Sequence, residues 1–159
     1  MLYLIGVDHS VPHDARAASE GPEFDRLRNE FPAVHEKVAR EIGATVIAEE
    51  SNEDVLNYFA ATKSIPSTVA SELDIVHMFC EPCITERERL GIHNTGNPAD
   101  FVKRENFWLG KLSAIKDDVI LFVLGVDHVH SFLELAHKHG FSVNVVDKYY
   151  GKEYFPPSN

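Results

Sequence analysis

The chain has 159 residues and carries 25 acidic against 15 basic side chains, a formal net charge of −10 at pH 7. The hydrophobic fraction of 44%, with nine glycines and eight prolines, excludes low-complexity and disordered classes. The acid excess argues against nucleic acid or an anionic membrane surface as partner, because both need clustered Lys and Arg. One α/β domain over residues 1–159 is expected, with 151–159 as a surface tail. No apolar run approaches the roughly 20 residues of a membrane helix. Met1–Val7 reads as a strand rather than a signal peptide, and two cysteines are too few for a disulfide scaffold, so the cytoplasm is the expected compartment.

Residues 2–7 are a short apolar run of the kind buried on both faces of a sheet. Beyond a polar loop, Phe24, Leu27, Phe31, Val34, Val38 and Ile42 recur at helical spacing. Pro22 suits the first turn, Pro32 should kink or split the helix, and Gly43 should end it. Residues 45–48 form the second strand. Ser51 with Asp54 resembles a capping box for a helix to about residue 61. A short helix at 67–73 leads to a third strand at 75–79. Thr85 and Glu88 resemble a second capping box, for a helix ended by Gly91. A Gly/Asn/Pro loop precedes a helix over about 99–115, with a buried stripe of Phe101, Trp108, Leu112 and Ile115. Residues 119–124 are the most apolar strand. Val129, Phe132, Leu133 and Ala136 mark a helix closed by Gly140, and 142–146 are a fifth strand. This alternation predicts a three-layer, Rossmann-like α/β fold: a mostly parallel sheet of about five strands with helices on both faces. In such folds the site lies beyond the carboxyl ends of the strands.

Those ends are rich in ionisable groups. Strand one ends in Gly6-Val7-Asp8-His9 and strand four in Gly125-Val126-Asp127-His128, the same string twice. Strand two ends in Glu49-Glu50, whose side chains should take opposite faces, and strand three in Cys80-Glu81-Pro82-Cys83. Glycine lets the backbone turn sharply and leaves room for a ligand. His9, His128 and Glu50 suit a divalent metal such as Zn or Mn, and the same groups suit acid/base chemistry without one. A strand-end histidine is equally at home as a hydrogen-bonded structural residue. Asp8 and Asp127 are either partners of their own histidines or caps on the following helices. Arg104 lies near the buried stripe, so it needs a carboxylate partner, Glu49 or Glu50, or an anionic substrate group.

In order, Gly6/His9, Glu49/Glu50, Arg104 within Arg104-Glu105-Asn106-Phe107-Trp108, and Gly125/His128 resemble the motifs of the Tiki/TraB superfamily, which includes erythromycin esterases and ChaN-like and GumN-like proteins. The resemblance spans most of the chain, though each motif is short. It implies a hydrolase site, metal-dependent in some members and metal-independent in others. Some members bind without known catalysis. The chain is shorter than those enzymes and lacks their large insertions, so a substrate does not carry over.

A second constellation competes. Cys80-Glu81-Pro82-Cys83 sits between a strand and a helix, where a helix N-terminus lowers a thiol pKa. It reads as two small, partly buried residues, as a redox pair, or, with His77 and His93, as a zinc site. His35, His137 and His139 read as exposed helix residues. Arg87 and Arg89 read as a solvated helix face.

The leading expectation is a small hydrolase. Glu49 or Glu50, with Glu81 as a further candidate, activates a water. His9 and His128 hold a metal or shuttle protons, and Arg104 stabilises developing negative charge. The alternatives are a non-catalytic metal- or small-ligand-binding module of the same fold, or a thiol redox protein using Cys80 and Cys83. A small molecule or peptide is the expected substrate, and a second copy of the chain is a candidate partner.

Overall fold

The computed structural model describes residues 1–8, 11–12, 22–58, 60–93 and 97–151. His9 and His13 therefore lie outside the described residues, as does the tail beyond residue 151. In chain order the elements are β1 (Leu2–Val7), α1 (Pro22–Ile42), β2 (Val46–Glu49), α2 (Glu53–Tyr58), α3 (Ile65–Leu73), β3 (Val76–Phe79), α4 (Ile84–Leu90), α5 (Pro98–Ser113), β4 (Ile120–Gly125), a 3-10 turn (Val126–His128), α6 (Val129–Lys138) and β5 (Val143–Asp147). The five strands form one parallel sheet in the order β3-β2-β4-β1-β5. Three layers result, as the alternation of strand and helix patterns predicts.

Strand periodicity divides the core. Leu2, Leu4, Val46, Ala48, Ile120, Phe122 and Leu124 pack against Trp108, Leu109 and Leu112 of α5 and Phe132 and Ala136 of α6. Ile5, Val7, Ile47, Leu121 and Val123 face the other way, onto Leu27, Phe31 and Ala39 of α1 and Ile65, Val69 and Ala70 of α3. Successive strand residues thus enter opposite layers, and both layers are apolar because both faces are covered. No helix among the described residues is long and apolar enough to cross a membrane.

Several local expectations need correction. Pro32 does not split α1, which runs 21 residues with the proline inside. Proline removes a single helix hydrogen bond, and Leu27, Phe31 and Ala39 anchor the helix on both sides of it. The cap of α2 is Asn52, not Ser51: Asn52 Oδ1 accepts from Val55 N at 2.9 Å. Its Nδ2 also donates to Pro82 O at 2.9 Å, tying the ends of β2 and β3 together. The α4 box lies two residues before the expected one. Cys83 N donates to Glu86 Oε2 at 2.9 Å, and Asp54, the expected α2 partner, instead accepts from Ile84 N at 2.9 Å. Burial opposes the Glu86 charge, but the Cys83 hydrogen bonds hold its carboxyl below the usual value. Gly43, Gly91 and Gly140 do close helices, with φ of +65°, +63° and +75°.

Gly6 has a packing reason to be glycine. A Cβ there would lie 2.2 Å from Lys148 O and 2.6 Å from Val129 Cγ2. Gly6 therefore sits where β1 passes beneath the chain leaving β5 and the start of α6.

Candidate functional site

At the carboxyl edge of the sheet a small cleft opens between the three central strands. Val7 of β1, Glu49 and Glu50 at the end of β2, and Val123, Leu124 and Gly125 of β4 line it, with Pro12 from the loop after β1. The register explains the convergence: Val7 pairs with Gly125, and Glu49 with Val123. The direction of chain progression reverses across these strands, the position where ligands gather in open α/β sheets.

Glu49 and Glu50 enter opposite layers as expected, although β2 itself ends at Glu49 and Glu50 follows it in a bend. Glu50 turns toward α5. Its Oε1 accepts from Arg104 Nη2, and its Oε2 accepts from Gly125 N at 2.6 Å. Arg104 is 5% exposed and also holds Glu81, with Nε 2.9 Å from Oε1 and Nη2 3.0 Å from Oε2. Glu81 further accepts from Trp108 Nε1 at 3.0 Å and Arg87 Nη2 at 2.8 Å. Burial works against the Arg104 charge, but Glu50 and Glu81 outweigh it and hold the guanidinium above its ordinary pKa. Arg87 is thus not on a solvated face; its side chain is half-buried, because the turn at Pro82 brings the start of α4 back over Glu81.

His128 completes this layer. It is 1% exposed, with Nε2 3.1 Å from Arg104 Nη1 and Nδ1 2.8 Å from Glu105 Oε1. Phe101 and Trp108 pack on the ring, with centroids 4.3 and 4.9 Å away. Asp127 is exposed and makes no side-chain cap on α6, so the helix-cap reading of this copy fails.

Glu49 turns toward α3 and is 2% exposed. Its Oε1 accepts from Ser64 Oγ and lies 2.7 Å from His77 Nε2. Its Oε2 has no hydrogen-bond partner among the described residues. Ser64 was not marked by any motif. It caps α3, accepting from Ser67 N at 3.1 Å, and the Ser-Ile-Pro start of that helix was the available signal. Nearby, His35 of α1 is fully buried, stacked on Phe31 at 5.3 Å, and neither ring nitrogen has a hydrogen-bond partner among the described residues. It is not an exposed helix residue. Burial, with His77 adding to it, pushes its pKa down to about 4.

The cysteines separate from the site. Cys80 is fully buried in the α5/α6 layer, while His77 joins Glu49 on the other side of the sheet. Burial pushes the Cys80 thiol up to about 12, opposite to the direction a redox thiol needs. Cys83 caps α4 with Sγ 3.2 Å from Thr85 Oγ1, and both thiols are free.

The metal set expected from sequence was His9, His128 and Glu50. Among the described residues no group of three His, Cys, Asp or Glu side chains is arranged to hold an ion. Both nitrogens of His128 and both oxygens of Glu50 already have partners within the protein. The described residues therefore do not by themselves fit a metal ion. No family model, curated protein or solved structure matches the chain.

Proposed function

We propose that the protein is a small hydrolase of the kind its Tiki/TraB-like motifs suggest, with Glu49 as general base. One observation carries this reading: among the described residues that line the cleft, Glu49 is the carboxylate with a buried oxygen that meets no hydrogen-bond partner. Ser64 and His77 fix the opposite oxygen, which would hold the carboxylate in one orientation. In the proposed step Oε2 takes a proton from water, the water oxygen bonds to an electrophilic carbonyl, and the proton then passes to the leaving group as its bond to that carbon breaks. Glu50 lines the cleft, and Arg104 and Glu81 behind it serve as a rigid support rather than as an oxyanion clamp, because the three are hydrogen-bonded to one another. A small molecule or short peptide is the substrate class. The free thiols of Cys80 and Cys83 suit a reducing, cytoplasmic setting.

A second reading is a binding module that uses the same cleft without turnover. The commitment of Arg104 and His128 to internal partners favours it. A panel of ester and amide substrates, run with and without added Zn or Mn and alongside elemental analysis of the purified protein, separates the two. The hydrolase reading expects turnover that falls about 100-fold or more in Glu49→Gln, with the fold retained. Turnover undiminished in that variant, or none in the wild type, overturns it.

A further inference from the structure

Glu105 lies beside Arg104 on α5 and is 3% exposed, a carboxylate buried outside the lining of the cleft. Its Oε1 accepts from Ser131 Oγ at 2.6 Å and faces His128 Nδ1 at 2.8 Å. The other ring nitrogen faces Arg104 Nη1 at 3.1 Å, within hydrogen-bond distance, with Glu50 Oε1 beyond that distance at 3.8 Å. A guanidinium has only donors, so Nε2 must present its lone pair and Nδ1 must carry the proton. An acceptor-only carboxylate at Nδ1 selects that tautomer. With Nε2 protonated instead, two N–H groups would oppose each other at 3.1 Å and push Arg104 away from Glu50.

We infer that Glu105 is a positioning residue: it fixes the His128 tautomer and, through it, the ion pair between Arg104 and the cleft-lining Glu50. The consequence for turnover rests on the hydrolase reading, while the tautomer does not. Both of these contacts use Oε1, so glutamine can supply the same acceptor and leucine cannot.

The test is imidazole nitrogen NMR, which distinguishes a protonated from a lone-pair nitrogen, on wild type, Glu105→Gln and Glu105→Leu. The expected result is His128 with the proton on Nδ1 in wild type and Glu105→Gln, and a mixed or Nε2-protonated ring in Glu105→Leu. Wild-type protein with a proton on Nε2 overturns the inference even if Glu105→Leu does not fold. A folded Glu105→Leu that keeps the Nδ1 proton overturns it too. Where a substrate is found, Glu105→Leu should lose about 10- to 100-fold in turnover and Glu105→Gln should recover most of it. Failure to find any turnover counts against the hydrolase reading and leaves the tautomer result standing.

Discussion

Behind Glu50, on the α5 side of the sheet, Arg104, Glu81, Trp108, His128 and Glu105 interlock, and donors meet acceptors at each step. Behind its neighbour Glu49, on the α1/α3 side, a carboxylate oxygen and both nitrogens of His35 are buried without partners among the described residues. Glu49 is the last residue of β2 and Glu50 the first beyond it, still held to β4 through Glu50 N and Val123 O, and the two side chains leave on opposite faces. The first resembles a fitted ionic core, costly to break and poor at releasing a group for chemistry. The second holds polar groups at a cost to stability, and such costs concentrate where a protein binds or reacts. Residue type and spacing mark both glutamates equally; the layer each one enters separates them.

The largest expected effect comes from breaking the paired side. Arg104→Met leaves Glu50 and Glu81 buried without their shared cation and should cost about 3–5 kcal/mol in denaturant unfolding. A loss below about 1 kcal/mol would show that the network is not the ionic core described.

The unpaired side should respond to pH instead. His35 has a folded pKa of about 4, below its ordinary 6.5, so the unfolded chain binds the proton first. Its contribution is fully present above about pH 6.5 and is lost as pH falls toward 4. The loss is on the order of 3 kcal/mol over that window. His35→Leu should flatten this part of the stability curve relative to wild type, and parallel curves would contradict the assignment.

The smallest perturbation is chemical. With its thiol raised from 9.0 to about 12, Cys80 has about a thousandfold less thiolate than an ordinary cysteine. A thiol reagent at neutral pH should label Cys83 in the native protein and reach Cys80 only on unfolding. Equal labelling would return the pair to consideration as a redox motif.

Much of this arrangement was legible before the structure. The apolar strands, the parallel sheet, the opposed glutamates and the need of Arg104 for a carboxylate all follow from local pattern. What was missed depends on which helices meet. Leu27, Phe31, His35 and Ala39 repeat every four residues, a stripe that would have placed His35 inside. The alternative stripe through Val34 drew attention away, and Val34 is 37% exposed. Glu105 lies three and four residues before Trp108 and Leu109, so it too shares the buried face. Its partner His128 becomes visible only when α5 packs beside the end of β4. Asn52 and Cys83 displaced the expected caps because each also meets a neighbouring segment: Asn52 reaches Pro82, and Cys83 opens a helix steadied by Asp54.

The central claim, that Glu50 is committed and Glu49 is not, can be tested without a substrate by comparing the unfolding free energies of Glu49→Gln and Glu50→Gln. Glu49→Gln keeps one carbonyl oxygen for Ser64 and His77 and should change stability by less than about 1 kcal/mol. Glu50→Gln takes a charge from a buried ion pair and should cost about 3 kcal/mol. Equal losses, or a larger loss for Glu49→Gln, would contradict the division between the two sides of the sheet.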